Sequence, residues 1–249
     1  FGVVGRDSND TMNLNIDRSS ALTGDMTLSM GDGNDSLSAA RLKNGDSVDM
    51  GAGDDSIGLY ATNSSGTPSY ASLNLTKLDG GAGTDTLSFG NMGSQGSTEL
   101  TLTGGGATNF ENIDGSGGDD IIRGDTGANV IRGDGGADTI YGGDGDDALG
   151  GWYFDPGTTA SSFSDSSLKS NSTDSSRGGN DNLYGQAGND LLVGTIGDNI
   201  LDGGTGADTI YTGSGSDTIV LRAGDGGSTL ATADTIADFT DGTDVLGMD

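Results

Sequence analysis

Residues Gly203–Val220 read GGTGADTIY then TGSGSDTIV, one nine-residue phrase written twice. Each copy has glycine at position four (Gly206, Gly215), aspartate at position six (Asp208, Asp217) and an aliphatic at position eight (Ile210, Ile219). Sliding that frame along the chain finds twelve copies. Three stand alone, at 30–38, 50–58 and 80–88; four run in tandem from Gly115 to Gly150, and five from Ser176 to Val220. Position four is Gly in all twelve, and position eight is always Ile or Leu. Position six is Asp in ten and Asn in two, Asn129 and Asn199. A glycine that recurs in phase marks a backbone conformation that a side chain would oppose, as in a tight turn.

This period dictates an architecture. Six turn residues precede three extended ones, and only the middle of the three is reliably apolar, so it alone points inward. Such a strand buries nothing by itself. Two nines close one flat coil and coils stack, which predicts an all-β parallel solenoid with two facing aliphatic ladders. Stacking puts every second turn in register: Asp120 over Asp138, Asn129 over Asp147, Asp190 over Asp208, and Asp181 over Asn199 over Asp217. Bare carboxylates a few ångströms apart repel strongly in a protein-like dielectric, so a cation is expected between turns. Calcium suits this chemistry, because it takes six to eight oxygens from carboxylates and carbonyls in flexible geometry, whereas magnesium keeps its waters. An EF-hand is the weaker reading, since neither its closing Glu nor its flanking helices are available.

Composition agrees. Only two of the 38 acidic residues are Glu (Glu99, Glu111); Asp suits turns where Glu suits helices, so the acid sits in turns. A net charge of −28 argues against nucleic acid, whose binding needs a basic footprint, and against anionic membrane. With no Cys and no His, disulfides, Cys/His zinc sites and His-dependent nucleophilic catalysis are excluded within this sequence. No apolar run is long enough to span a membrane. A hydrophobic content of 31% at this charge would otherwise read as disorder, and only the regular spacing argues for a fold. The start at Phe1, without Met or leader, is expected of a fragment.

The phrases GGTGADTIY, GGDGDDALG and GQAGNDLLV resemble the RTX, or haemolysin-type, calcium-binding nonapeptide GGxGxDxUx. The tail ADTIADFTDGTDVLGMD (233–249) is similar to the segment that closes RTX rolls in serralysin-type secreted proteins. The resemblance implies a right-handed parallel β-roll, or β-helix solenoid, exported unfolded by type I secretion and folded outside the cell. It implies calcium bound in the stacked turns by Asp35, Asp55, Asp85, Asp120, Asn129, Asp138, Asp147, Asp181, Asp190, Asn199, Asp208 and Asp217. Backbone carbonyls would join them at turn glycines such as Gly118, Gly136, Gly145, Gly188, Gly206 and Gly215, and Asp234, Asp238 and Asp244 would close the last sites. The expected load is on the order of six to nine calcium ions.

Three segments are expected. Residues 1–112 form an irregular β-helix-like stretch with sparse RTX turns, in which 5–13 (GRDSNDTMN) is a decayed copy. Residues 113–220 form the roll, interrupted by an insertion at 151–175. Residues 221–249 cap it, with Phe239 plugging the open end. Trp152, Tyr153 and Phe154 are expected to cover the flank, and Tyr141, Tyr184 and Tyr211, at position nine, to pack outward. Arg123-Gly124-Asp125 and Arg132-Gly133-Asp134 spell the adhesion tripeptide RGD only as an accident of phase. Of adjacent pairs such as Asp119-Asp120 and Asp146-Asp147, one member is the phased ligand and the other faces solvent, so no catalytic carboxylate pair is expected. Position three varies too much for an ice-binding array.

The functional expectation is a noncatalytic, calcium-binding β-roll segment of a large secreted bacterial surface protein, of surface-layer or adhesin type. The alternative is the C-terminal secretion and folding module of an RTX hydrolase or toxin, which an HExxH or GxSxG motif upstream would reveal. Partners beyond calcium would be a second copy, stacked end to end, or a cell-surface polysaccharide. At free calcium about ten times Kd, each site adds about 1.4 kcal/mol. Several sites together approach the stability of a whole domain, so calcium is expected to switch folding on.

Overall fold

The computed structural model describes residues 2–14, 24–40, 42, 45–60, 78–90, 99–102, 107–152, 179–225, 233–240 and 242–248. Its strands, numbered in chain order, alternate between two sides. One side is a ten-stranded sheet: β2 (Thr11–Leu14), β4 (Ser36–Ala40), β6 (Ser56–Tyr60), β8 (Thr86–Ser88), β10 (Asn112–Asp114), β12 (Val130–Arg132), β14 (Ala148–Gly150), β16 (Leu191–Val193), β18 (Thr209–Tyr211) and β20 (Thr235–Ile236). A separate four-stranded sheet holds β1 (Gly2–Val4), β3 (Thr27–Ser29), β5 (Ser47–Asp49) and β7 (Leu78–Asp79), with Thr108 bridged to Asp79 at its end. A third sheet has seven strands: β9 (Glu99–Thr101), β11 (Ile121–Arg123), β13 (Thr139–Asp144), β15 (Asn182–Ala187), β17 (Ile200–Thr205), β19 (Thr218–Leu221) and β21 (Val245–Met248). Pairing is parallel throughout, in a register that sets position eight on position eight, as in Ile140 beside Leu183 and Leu183 beside Leu201. The chain is an all-β, parallel solenoid. Among the described residues no helix is long and apolar enough to cross a membrane.

The core is one residue wide per strand. All twelve position-eight side chains are at most 1% exposed, and those of both sides join one cluster. Met26, Met30, Met50, Phe89 and Phe110 thicken it where the N-terminal coils are wider. On the outer face of the ten-stranded sheet, Ala148, Leu191, Val193 and Tyr211 form a second small buried cluster. On the seven-stranded sheet, Tyr141 stacks on Tyr184 with ring centres 5.0 Å apart, and the Arg123 guanidinium lies 4.8 Å from the Tyr141 ring centre. Arg132 is buried in an ion pair with Asp114. Both RGD arginines are therefore engaged by the roll itself.

The ten-stranded sheet runs without a break across 112–113, so the N-terminal coils and the roll share one stack. The insertion interrupts a turn rather than the gap between two repeats. Gly151 is buried, its N–H donates to the Val193 carbonyl, and the next described residues, from Gly179, complete the turn to Asp181. Tyr153, Phe154 and the rest of the insertion up to 178 lie outside the described residues. Phe239 does not plug the end: it is 39% exposed, as the first residue of a further nine (239–247) whose Leu246 pairs with Ile219.

The turns make two backbone demands. At position four, Gly206 has φ +147°, and a Cβ there would run into the Gly188 carbonyl of the preceding coil. Position two is also left-handed in most turns, and three non-glycines adopt it: Asp134 (φ 72°), Gln186 (83°) and Thr195 (73°). Thr195 is the worst suited, being β-branched, and its buried hydroxyl has no partner. In calcium-saturated protein, Thr195→Gly is expected to raise stability by about 1 kcal/mol, while Gly206→Ala is expected to lower it by at least about 2 kcal/mol. Urea denaturation followed by circular dichroism checks both signs.

Candidate metal centres

Each strand of the roll is entered through its position-six residue, which the turn drives under the stack. There the side chain is stitched to the coil before it. The Asp138 backbone N–H donates to Asp181 Oδ1 (2.9 Å), and the Asp190 N–H donates to Asp208 Oδ1 (2.8 Å). Repeated coil by coil, these bonds form two columns. On the ten-stranded side the column runs Asp10, Asp35, Asp55, Asp85, Glu111, and again Asn129, Asp147, Asp190, Asp208, Asp234. On the other side it runs Asp120, Asp138, Asp181, Asn199, Asp217, Asp244. The stitch survives the insertion, spanning 43 residues there instead of the usual 18.

The second oxygen is the important one. Asp35, Asp55, Asp85, Asp138, Asp147, Asp181, Asp190, Asp208 and Asp217 each hold Oδ2 buried with no hydrogen-bond partner. Each of these side chains is at most 2% exposed. At Asp85, Asp138, Asp147, Asp181, Asp190 and Asp208 that oxygen lies against a glycine at position one of its turn (Gly80, Gly133, Gly142, Gly151, Gly185 and Gly203), and at Gly80, Gly142, Gly151 and Gly185 a carbonyl of the following coil lies there too. A Cβ on Gly142 would meet Asp147 Oδ2 and the Gly185 carbonyl; one on Gly185 would meet Asp190 Oδ2 and the Gly203 carbonyl. Glycine thus keeps open a small space lined by oxygens from two coils. Among the described residues no three acidic side chains converge on one point, so a cation bound here draws on carbonyls as well. A hard-oxygen set of carboxylate plus carbonyls matches calcium.

Burial raises these carboxyls. Asp138 is pushed up to about 9, by burial first and then by the charge of Asp181. Asp147 is pushed up to about 8, Asp181 and Asp190 to about 7, and Asp85, Asp208 and Asp217 to about 6, again mainly by burial. Metal-free turns therefore hold protons that calcium must displace.

Not every expected ligand has this geometry. Asp120 accepts the Ser116 N–H at Oδ2 (2.6 Å) and the Ser116 hydroxyl at Oδ1 (2.9 Å). Asn129 Oδ1 accepts the Asp125 N–H (2.9 Å), and Asn199 Nδ2 donates to the Gly197 carbonyl (3.2 Å). Of the glycines, Gly136, Gly145, Gly188, Gly206 and Gly215 are left-handed, whereas Gly118 is not. At the C-terminal end, Asp238 spends its oxygens on the Thr212 and Gly213 N–H groups. Asp244 takes the Asp217 and Thr240 N–H groups, and Asp234 takes the Asp208 N–H.

Several column members escaped the nine-residue frame because they lack its glycine. Glu111 ends a turn only three residues long between Thr108 and Asn112, and its longer side chain still reaches the Asp85 N–H (2.7 Å). Asp46 accepts the Met26 N–H (2.8 Å) in the wide N-terminal coils. The signal that finds them is an acid followed two residues later by an inward apolar residue: Asp10 and Met12, Asp46 and Val48, Glu111 and Ile113. Position five carries a ladder of its own. Asp119 Oδ1 accepts the Ala137 N–H (2.9 Å), and Asp146 Oδ1 the Asn189 N–H (2.8 Å). The solvent-facing member of each Asp pair is thus also a backbone partner.

Parallel coils that aim buried, unpaired carboxylate oxygens into glycine-lined turns define a cation-binding β-solenoid. A family model for the RTX calcium-binding nonapeptide repeat, in four copies, matches residues 77–91, 114–149, 176–201 and 193–227. Over these residues the chain carries RTX calcium-binding nonapeptide repeats, and the fold they form is a parallel β-roll. A search of curated proteins finds no match. The copies at 30–38 and 50–58 lie outside the matched residues, yet Asp35 and Asp55 stand in the same column with the same unpaired oxygen.

The pH dependence follows from the raised carboxyls. In metal-free protein, the unfolded chain ionises near 3.8 while the folded carboxyls stay protonated. Their contribution to stability is fully present below 3.8 and is lost as pH rises through about 6 to 9. In chelator the fold is expected to be most stable in acid. Calcium binding near pH 7 is expected to release protons and to tighten as pH rises. Calorimetry in buffers of different ionisation enthalpy measures that release.

Proposed function

We propose that this chain is a noncatalytic calcium-binding scaffold, a segment of a secreted bacterial surface protein of surface-layer or adhesin type that folds outside the cell. The observation that carries it is that, among the described residues, nine position-six aspartates bury Oδ2 without a hydrogen-bond partner. Leaving ionised carboxylates buried and unpaired costs several kcal/mol each. A chain held by a core one residue wide cannot sustain that cost nine times over. Calcium supplies the missing charge, with Asp35, Asp55, Asp85, Asp138, Asp147, Asp181, Asp190, Asp208 and Asp217 as its carboxylate ligands and turn carbonyls completing each shell. The load is then on the order of six to nine ions, several of them shared between coils.

The scaffold reading is supported by the continuous stack. The segment before residue 113 adds coils to the same ten-stranded sheet, which extends a rod. Calcium modules outside cells bind with Kd of about 10⁻⁴ to 10⁻³ M. Such sites are empty at cytosolic calcium and fill after export. No step of chemistry is assigned to the aspartates, whose oxygens are committed to backbone and cation. A second copy stacked end to end, or a cell-surface polysaccharide, are the further partners proposed.

A calcium titration followed by far-ultraviolet circular dichroism tests the reading, with magnesium as control. A cooperative rise in β signal with calcium alone is expected. Full β structure in chelator, or an equal response to magnesium, contradicts it.

A further inference from the structure

We infer that three turns inside the solenoid hold no calcium although they lie in phase with those that do: 115–120, 124–129 and 194–199. The inference rests on the calcium reading above and refines it, turn by turn. In a loaded turn, position two is left-handed and the position-six Oδ2 is unpaired, as at Gly143 and Asp147 or Gln186 and Asp190. In the turns 115–120 and 124–129, position two is not left-handed, and its N–H swings onto the side chain that a cation would otherwise take. Ser116, fully buried, gives both its N–H and its hydroxyl to Asp120. Asn199 closes its turn by another route. Its Oδ1 keeps the column by accepting the Asp181 N–H (2.9 Å), and its amide nitrogen takes the Gly197 carbonyl.

Each closed turn uses a protein N–H or O–H where its neighbours leave an oxygen for metal. The consequence is spatial. Asp120 and Asn129 lie on opposite sides of adjacent half-coils, so together they form a seam through the stack. The seam separates Asp35, Asp55 and Asp85 from the carboxylates that begin at Asp138 and Asp147. Protein cations cluster there as well: Arg132 pairs with Asp114, and Arg123 packs on Tyr141. Asp120 is the decisive case, because its nine, GSGGDDIIR, has Gly118 and Asp120 at the required places. A serine at position two, not the ligand position itself, distinguishes it.

The test counts bound calcium on the full chain after equilibrium dialysis at saturating calcium, by atomic emission. Asp138→Ala is expected to lose at least one ion, and Asp120→Ala none. Circular dichroism in calcium confirms that each variant is folded. Asp120→Asn, which keeps an acceptor for the Ser116 N–H, replaces the alanine variant if that fails to fold. Loss from the Asp120 variants equal to that from Asp138→Ala overturns the inference. Unchanged counts in both overturn the calcium reading itself.

Discussion

A position-six carboxylate does two incompatible things for a protein in pure water. Through Oδ1 it stitches its coil to the one before, so it must be buried; through Oδ2 it then carries charge into a place with no partner. The stacking of coils and the need for a cation are one constraint seen from two sides. Removing the acid would unpick the stitch, and keeping it without metal leaves protons or unpaid charge in the turns. In the function proposed above, a cation relieves this conflict for a chain of net charge −28, and the fold is conditional on it.

The remaining architecture serves that constraint. Parallel pairing lets identical turns lie above one another, so one turn design is used many times. Glycine at positions one and four lets coils approach until carbonyls of one face the carboxylate of another. The aliphatic at position eight supplies a thin but unbroken ladder. It orders the strands without providing the reserve of hydrophobic stabilisation that a thicker core would carry. Stability is therefore lodged in the turns, where solution conditions can reach it.

The roll is legible in the sequence because its period is strict: position eight marks the core, and position six marks the columns. What was not legible has physical causes. The demand at position two is conformational and is met by Gly, Asp, Gln and Thr alike, so no residue type announces it. Glu111 replaces a six-residue turn with three, which breaks the spacing while preserving the stitch. Asp120 fits the motif, but the motif does not record Ser116 four residues earlier, whose N–H donates to its Oδ2. The two RGD triplets, read in the sequence as an accident of phase, carry arginines that the fold itself engages.

The central claim is that the nine unpaired oxygens are calcium ligands. A crystal structure grown in calcium, with anomalous scattering data, tests it most directly. The account predicts anomalous peaks within about 2.3–2.6 Å of Oδ2 at Asp138, Asp147, Asp181 and Asp190, each also contacted by turn carbonyls. Peaks elsewhere, with those oxygens hydrogen-bonded to water or backbone, would contradict it.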